Sequence, residues 1–464
     1  MRLGQMEHRR RTSNPQVGVP ADDAGLCARL PPSPSPSKEP GGVANGNSKR
    51  AIQGRQKVLR FGPEKQPKLS ERHGLAHRIA GLFAGIGGIE HGLHAAGHET
   101  VVLCENDSAA VRVLAERLPG IRLHGDVTTL RRLPRTVTLL AAGFPCQDLS
   151  QAGKTAGIVG RRSGLVGEVF RLLRSHRTPW VLLENVPFML QLGRGRAMDV
   201  IATALEEMGY AWAYRVVDSR AFGLPQRRRR VYLVASLDAD PRAVLFADEA
   251  NEPEGVDERM LDRSLACGFY WTEGIRGLGW AADAVPTLKG GSTIGIPSPP
   301  AILFPDGRVV TPDIRDAERL QGFPADWTKP AEEVVKKGTR WKLVGNAVSV
   351  TAAEWIGRRL IDPGAVREYP LRKLHSDRTW PPAAWNFGFG RCEVLASEWP
   401  VRRPYRSLEG FLRYPVQPLS AKATAGFLSR AERGSLRFPP GFLLALERHL
   451  ERVGGAPGRR SIAV

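Results

Sequence analysis

Three short segments of the chain carry side chains that could take part in covalent chemistry. Cys146 lies in the segment Gly143–Gln147, Glu184 begins the segment Glu184–Val186, and four arginines occupy positions 227–230. A cysteine thiolate is a strong nucleophile once neighbouring cations or a helix N-terminus lower its pKa. A carboxylic acid kept neutral in a dry pocket can donate a hydrogen bond, and arginine binds carbonyl or phosphate oxygens. The set therefore suits nucleophilic addition to a ring that gains negative charge during the reaction.

The elements that must position these segments alternate between short apolar runs and helical patterns from residue 77 onward. Strands are predicted over residues 77–85, 99–107, 121–127, 136–146, 179–186, 214–220 and 228–236, and helices over 89–97, 108–120, 164–176 and 196–210. Such alternation is typical of an α/β fold with a parallel, Rossmann-like sheet. Because ligands bind at the carboxyl ends of such strands, the three segments are predicted to meet at one edge of the sheet.

Each of these residues has a structural interpretation when it is taken alone. A buried cysteine usually only packs, a glutamate at a strand end usually forms an ion pair, and a run of arginines usually lies on a solvated surface. Their convergence at one sheet edge favours the catalytic interpretation for Cys146, Glu184, Arg228 and Arg230.

One ring chemistry fits this set of residues. Carbon 5 of cytosine becomes nucleophilic only after a group adds to carbon 6, which the thiolate of Cys146 can do. A protonated Glu184 at nitrogen 3 would relieve the resulting charge. Arg228 and Arg230 could hold the cytosine carbonyl and the adjacent phosphate through charge-assisted hydrogen bonds.

A glycine-rich turn and two carboxylates are predicted at the same sheet edge. The candidate cofactor-binding residues are Phe83, Gly85, Gly87, Gly88, Glu105 and Asp126. Glu105 lies 20 residues after Gly85 (105 − 85), where a carboxylate can hold two ribose hydroxyls. An NAD or FAD site is disfavoured because Glu90 and His91 follow the turn where the dinucleotide fingerprint has its third glycine. A nucleoside ligand without a pyrophosphate is favoured instead.

Composition narrows the class of protein. The 464-residue chain carries a formal net charge of +20, which attracts a polyanion, most directly nucleic acid. No apolar run is long enough to cross a bilayer and no signal peptide is recognised, which predicts a cytoplasmic protein without a membrane partner. The five cysteines are scattered and form no CxxC pair, so neither a disulfide scaffold nor a metal site is predicted.

The chain divides into five predicted regions. They are a disordered basic tail (1–75), a catalytic and cofactor-binding domain (76–236), an irregular Gly- and Pro-rich second domain (237–305), a returning helical region (306–362) and a C-terminal extension (363–464). The returning region contains two helical patterns, over residues 311–323 and 343–360. In the extension, Arg402, Arg403, Tyr405, Arg406 and Arg413 are candidates either for phosphate contacts or for packing.

Six ordered segments make the chain resemble the cytosine-5 DNA methyltransferase family over about residues 78–362. They are LFAGIGGIEHGL, GFPCQDLS, ENV, PQRRRRVYLVA, RVVTPDIRDAERLQGFP and KLVGNAVSV. The resemblance implies an S-adenosylmethionine-dependent methyltransferase sheet with a smaller, loop-rich target-recognition domain at residues 237–305. It also implies that Cys146 attacks carbon 6, that Glu184 contacts nitrogen 3, and that Arg230 contacts the base carbonyl with Arg228 in support.

The resemblance implies ligands and partners as well. S-adenosylmethionine would lie against Phe83, Glu105 and Asp126, with Asn346 nearby, and the target cytosine would be flipped out of double-stranded DNA. The glycines of the segment Lys289–Thr293 would let its backbone approach that DNA. A paired restriction endonuclease is the further partner that the restriction-modification members of the family imply. The expected enzyme is a nucleoid-associated monomer, because one flipped base needs one pocket.

Three other interpretations remain open. A transfer RNA methyltransferase would keep the chemistry and change the substrate, although the sizeable recognition domain favours DNA. A catalytically silent DNA-binding relative is disfavoured by the presence of Cys146, Glu184 and Arg230. A nicotinamide or flavin oxidoreductase is disfavoured by the glycine pattern and leaves Pro145 and Cys146 without a role.

Overall fold

The computed structural model describes residues 74–145, 164–253, 264–291, 297–374 and 379–454. They belong to one compact unit that extends from Ile52 to Val464. Cys146 and the end of the Lys289–Thr293 segment lie outside the described residues. No helix among the described residues is long and apolar enough to cross a membrane.

The described residues form seventeen strands and eleven α-helices. The strands are β1 Arg78–Leu82, β2 Glu99–Cys104, β3 Arg122–His124, β4 Leu139–Gly143, β5 Trp180–Asn185, β6 Ala211–Asp218, β7 Gln226–Arg227, β8 Arg229–Ser236, β9 Cys267–Phe269, β10 Trp280–Ala282, β11 Val285–Pro286, β12 Ala301–Leu303, β13 Val309–Thr311, β14 Leu371–Lys373, β15 Ala383–Asn386, β16 Arg391–Val394 and β17 Gln417–Pro418. The helices are α1 Gly88–Ala95, α2 Ser108–Arg117, α3 Leu165–His176, α4 Arg196–Glu207, α5 Arg242–Leu245, α6 Ile314–Leu320, α7 Arg340–Asn346, α8 Val350–Ile361, α9 Leu408–Phe411, α10 Ala421–Arg433 and α11 Phe442–Arg452.

A ten-stranded sheet lies at the centre of the molecule, in the order β14-β16-β15-β6-β8-β5-β4-β1-β2-β3. Strands β3, β2, β1, β4 and β5 run parallel, as the alternation of strands and helices predicts. From β5 outward, β8, β6, β15, β16 and β14 pair antiparallel. The α/β class is therefore confirmed, with a mixed sheet in place of the fully parallel one.

Both faces of this sheet are buried. Successive residues of each strand point to opposite sides, so neighbouring residues pack in different apolar clusters. Ala80 and Leu140 pack in one apolar cluster with α3 and α4. Ile79 and Leu139 pack in a second cluster on the other face, which includes residues of α1 and α8. The near-continuous apolar runs of the sequence follow from this two-sided burial.

A smaller sheet of five antiparallel strands lies in the order β10-β9-β12-β13-β17. The region 237–305, which the sequence pattern describes as irregular, supplies four short strands, of which three join this sheet. The fourth, β11, pairs in parallel with β7 and so connects this region to the hairpin that carries the arginines.

The C-terminal extension contributes to both sheets. Strands β14, β15 and β16 extend the large sheet, and β17 is an edge strand of the small one. Three of its candidate phosphate-contacting residues are engaged within the protein. Arg402 donates to the carbonyls of Ala250 and Asn251 at 3.4 and 3.2 Å. Arg403 pairs with Glu354 at 3.1 Å, and the Tyr405 hydroxyl donates to the carbonyl of Asp283.

The single helical pattern predicted over residues 343–360 is wrong, because the chain forms two helices there, α7 and α8. Ala347 adopts an extended conformation after Asn346, and Ser349 then precedes the second helix. Arg228 donates to the carbonyls of Gly345 and Ala347, which withdraws both from any continuous helical ladder. A tertiary contact thus overrides a helical period in the sequence.

A buried arginine attaches the C-terminal extension to the large sheet. Arg215 of β6 is fully buried and donates to the carbonyls of Ser397, Leu245 and Asp248 at 2.7 to 3.1 Å. Its guanidinium also pairs with Glu249 at 2.8 Å.

We expect Arg215→Ala to lower the free energy of unfolding by about 3–5 kcal/mol, because it leaves a buried carboxylate and buried carbonyls without a donor. Thermal and urea unfolding would measure the loss. Arg78→Ala is the matched control, because the Arg78–Glu99 pair is exposed at 44% and 63%. An equal effect of the two substitutions would contradict a special role for Arg215.

Candidate active site

The chain turns sharply between β1 and α1. Phe83, Gly85 and Gly87 have φ angles of 54°, 56° and 83°, so the two glycines occupy a region that other residues enter at a cost. The amide of Gly85 donates to Oε2 of Glu105 at 2.7 Å, and that of Gly87 donates to the carbonyl of Ala84 at 2.8 Å. Glu105, at the end of β2, therefore holds the turn in place.

Two carboxylates flank this turn at the ends of β2 and β3. Oε1 of Glu105 accepts from the amides of Asn106 and Asp107 at 2.9 and 2.8 Å, and the side chain is half-buried. Asp126 is exposed and accepts from the amide of Thr128 at 2.8 Å, which lowers the pKa of Asp126. Phe83, Glu105 and Asp126 thus lie at the ends of three neighbouring strands.

Residues from the returning helical region close over the turn. The indole of Trp327 donates to the carbonyl of Ile86 at 2.8 Å, and its ring lies 4.5 Å from that of His91. Gly88 packs directly against the backbone of Val348, between α7 and α8, where a Cβ would not fit. Asn346 is exposed at the end of α7 and its side chain lies against Gly290. The turn is therefore enclosed by chain that is more than 200 residues away in sequence.

Glu184 and Arg230 form an ion pair on adjacent antiparallel strands. Oε1 of Glu184 on β5 lies 3.1 Å from Nε of Arg230 on β8, and the two side chains are only 10% and 11% exposed. The other carboxylate oxygen lies above Gly143, the last residue of β4. Burial raises the pKa of Glu184, although Arg230 and then Arg228 oppose this. The carboxyl group is thus biased toward its protonated form next to a guanidinium.

Asn185 fixes the strand end that leads to the cysteine. Its amide donates to the carbonyl of Phe144 at 2.9 Å, and its own oxygen accepts from the amide of Val186 at 2.9 Å. Pro145 follows Phe144 and is the last described residue before Cys146. Sequence reasoning did not single out Asn185, although it stands next to Glu184 in the ENV segment.

The four arginines at positions 227–230 divide into two pairs. Arg228 is buried and donates to the carbonyls of Leu288, Gly345 and Ala347 at 3.0, 3.2 and 2.5 Å. Burial, and then repulsion by Arg230, lowers the pKa of Arg228 to about 9.

The other two arginines face outward. Arg227 donates to the carbonyl of Trp280 at 2.6 Å, and Arg229 is exposed and pairs with Glu398. Arg228 and Arg230 thus form one pair and Arg227 and Arg229 the other, because alternate residues of an extended chain point to opposite sides.

A second buried carboxyl group lies beneath the glycine-rich turn. Glu90 of α1 is 1% exposed, and its Oε1 occupies the space that a side chain at Gly81 on β1 would need. Within the described ranges of the chain, its Oε2 has no hydrogen-bond partner. Burial raises the pKa of Glu90 to about 7, and the charge of Glu105 adds to the shift. The sequence drew attention to Glu90 only as a departure from a glycine pattern.

Comparison with known proteins identifies the family of this chain. The family described as C-5 cytosine-specific DNA methylase matches residues 77–259. The type II methyltransferase M2.BsuMI of Bacillus subtilis (strain 168) is 48% identical over 387 residues, which cover 81% of this chain and 98% of that protein. The chain belongs to the C-5 cytosine-specific DNA methylases.

Other methylases are more distant. The type II methyltransferase M.MspI of Moraxella sp is 37% identical over 304 residues, 60% of this chain and 69% of that protein. Among solved structures, the Dnmt2 methyltransferase of S. pombe aligns with a TM-score of 0.43 and 16% identity, over 62% of this chain and 98% of that one.

The structure of this methylase brings most of the predicted site residues to one edge of the large sheet. Phe83, Gly85, Gly87, Gly88, Glu105, Asp126, Glu184 and Arg230 lie at or beside the carboxyl ends of β1 to β5. Arg228 lies behind them and binds backbone carbonyls, and Asn346 lies against Gly290 at the border of the second region.

The raised pKa of the buried Glu90 carboxyl group should make the free energy of unfolding of this methylase depend on pH. Between about pH 4.5 and pH 7 the unfolded chain releases a proton that folded Glu90 retains, so stability is lost as pH rises through that window. Glu90→Gln keeps the size and removes the ionisation. We expect it to stabilise the protein by up to about 3 kcal/mol at about pH 8 and far less at about pH 5.

Urea unfolding at the two pH values would measure this difference. Glu207→Gln, at an exposed position at the end of α4, is the matched control and should leave the pH dependence unchanged. Parallel stability curves for the wild type and Glu90→Gln would refute the prediction.

Proposed function

We propose that this methylase transfers a methyl group from S-adenosylmethionine to carbon 5 of a flipped cytosine in a specific duplex sequence. The reaction proceeds through a covalent bond between Cys146 and carbon 6 of the ring. The observation that carries the proposal is the buried Glu184–Arg230 pair at 3.1 Å, whose second carboxylate oxygen lies above Gly143, three residues before Cys146.

The residues around the glycine-rich turn fit S-adenosylmethionine better than a phosphate-containing nucleotide. Glu105, Asp126 and the carboxyl group of Glu90 surround the turn with potential negative charge. Such a site repels a pyrophosphate and favours a ligand with cationic groups and hydrogen-bond donors. Glu105 would hold the ribose hydroxyls, Asp126 the adenine amino group, and Phe83 would contact the ring. When bound, the cofactor supplies an electrophilic methyl group.

In this mechanism Glu184 acts as the acid, and Arg230 orients the cytosine base. As the Cys146 thiolate adds to carbon 6, negative charge moves into the ring, and a protonated Glu184 donates a hydrogen bond to nitrogen 3. Arg230 holds the ring carbonyl on the same side. Carbon 5 is then nucleophilic and takes the methyl group. The Cys146–carbon 6 bond breaks as the carbon 5 proton leaves, which restores the aromatic ring.

Burial of this pair is why a flipped base is proposed. Counted over the whole residue, Glu184 and Arg230 are 8% and 9% exposed. A cytosine stacked within an intact duplex could therefore not reach them. A single extruded nucleotide could enter, which one protein chain suffices to accept. The net charge of +20 would support binding of the surrounding phosphates.

The names of the relatives support a biological setting. M2.BsuMI and M.MspI are both named type II methyltransferases. We therefore propose that this enzyme acts in the cytoplasm within a type II restriction-modification system, where methylation protects DNA from a paired restriction endonuclease.

Transfer of tritium from labelled S-adenosylmethionine tests the reaction and its nucleophile. We expect the wild type to label unmethylated duplex DNA and not transfer RNA, with 5-methylcytosine mapped by sequencing to one recurrent context. Cys146→Ala should abolish transfer and retain cofactor binding, because it removes the nucleophile and leaves the glycine-rich turn intact. Label on transfer RNA alone would change the substrate, and activity of Cys146→Ala would exclude the covalent route.

The role of Glu184 is tested by an isosteric change. Glu184→Gln cannot deliver a proton to nitrogen 3, so we expect the rate of methyl transfer to fall about 100-fold or more. Glu207→Gln is the matched control, because it makes the same change at an exposed position. Single-turnover measurements at saturating DNA and cofactor would report the chemical step. A rate within about two-fold of wild type would remove Glu184 from the mechanism.

A further inference from the structure

The last two helices of the chain cover one face of the small sheet. Cys267, Phe269, Ala301, Leu303 and Val309 of that face pack in one cluster with α10 and α11. The ring of Phe269 lies 4.8 Å from that of Phe427 and 5.2 Å from that of Phe442. Without this helix pair the face would expose a contiguous apolar surface. The C-terminal extension is therefore an integral part of the domain that contains the small sheet.

Helix α10 and the connection between α10 and α11 hold the two ends of the loop Trp271–Trp280, which connects β9 to β10. Arg430 of α10 donates to the carbonyl of Trp271. The indole of Trp280 donates to the carbonyl of Arg437 at 3.0 Å. Between these anchors, Gly434 lies against Leu278. The loop is thus fixed at its two tryptophans by residues from the C-terminal extension.

The tip of this loop is exposed, in contrast to its ends. Gly274, Ile275 and Arg276 are exposed, with 39% of Ile275 accessible. Arg276 makes no hydrogen bond or ion pair with the described part of the chain. The anchored loop thus presents the side chain of Arg276 at the surface of the molecule.

A chain of contacts connects the loop to the edge of the large sheet that carries Glu184 and Arg230. Glu273, next to the tip, pairs with Lys289 at 3.2 Å. The residue before Lys289, Leu288, accepts a hydrogen bond from Arg228. Arg228 stands two residues from Arg230, which pairs with Glu184. The loop is therefore linked through Lys289, Leu288 and Arg228 to the strand that carries Arg230.

We propose that the loop Trp271–Trp280 reads the DNA sequence, that Arg276 is a specificity-determining residue which contacts a base edge, and that the C-terminal helix pair is the scaffold of this loop. The inference rests on the proposed function, because it requires a duplex DNA substrate. Arginine is suited to this role because its planar guanidinium can donate two hydrogen bonds to one guanine. Arg430 acts through the loop and is a positioning residue.

The test compares Arg276→Ala, Arg430→Ala and the control Arg433→Ala in the full-length enzyme. Arg433 is exposed on α10 beside the loop anchor, so its removal takes away the same charge without touching the loop. The probes are duplex oligonucleotides that carry the site mapped from wild-type methylation, and the three variants of that site at each base pair. Affinity and methylation rate are measured for each duplex, and cofactor binding for each protein.

We expect Arg276→Ala to reduce the preference for the mapped base at one position by about five- to 100-fold. Arg430→Ala should reduce the same preference, because it releases one end of the loop. Both variants should bind S-adenosylmethionine as the wild type does. Arg433→Ala should lower the affinity for all duplexes alike and leave the preference within about two-fold.

Three results would overturn the inference. Unchanged base preference in Arg276→Ala, or a uniform loss of affinity like that of Arg433→Ala, would make Arg276 at most a phosphate contact. Unchanged preference in a folded Arg430→Ala would remove the scaffold role. Failure of the proposed function is a different result, since the wild type would then methylate no DNA at all.

Discussion

The buried guanidinium of Arg228 joins distant segments of the chain beside the sheet edge that carries Glu184 and Arg230. It donates to Leu288, which belongs to the second region, to Gly345 in the last turn of α7, and to Ala347 between α7 and α8. A buried cation costs free energy unless its donors are satisfied. Backbone carbonyls accept from both terminal nitrogens of Arg228 without neutralising its charge, while its Nε has no partner among the described residues. The positive charge therefore remains available to act on its surroundings, and the low dielectric of the interior strengthens that action.

A comparison of two buried carboxyl groups, Glu184 on β5 and Glu90 on α1, illustrates what that charge does. Glu184 lies beside Arg230 and within the field of Arg228, and both guanidiniums oppose the rise in pKa that burial causes. At Glu90, burial and the charge of Glu105 raise the pKa to about 7 against a backbone hydrogen bond that lowers it. A group that must exchange a proton during a reaction benefits from opposed influences, because neither form is then strongly excluded.

The sequence predicted the parts of this structure that depend on local patterns. Apolar runs gave the strands, and the strand ends placed Phe83, Glu105 and Glu184 at one edge. It could not predict the break at Ala347, because two carbonyls there are held by a side chain more than 100 residues away. The backbone-binding role of Arg228 escaped prediction for the same reason. Strands β14 to β17 are too short to show a period, and only their pairing with β6, with one another and with β13 defines them.

The shared anchoring of the two sheets has a consequence for how recognition and catalysis are coupled. The segment from Leu288 to Gly290 contacts Arg228 on one side and Asn346 on the other, and Lys289 within it contacts Glu273. A displacement of this segment would leave buried hydrogen-bonding groups unpaired, at a cost of about 1–3 kcal/mol for each. The small sheet is therefore held in a fixed position relative to the edge of the large sheet that carries Glu184 and Arg230, with no free hinge at this segment. A base contacted by the loop Trp271–Trp280 would consequently fix the position of the neighbouring nucleotides relative to Glu184 and Arg230, so that correct recognition and correct placement of the reacting ring are one geometric condition.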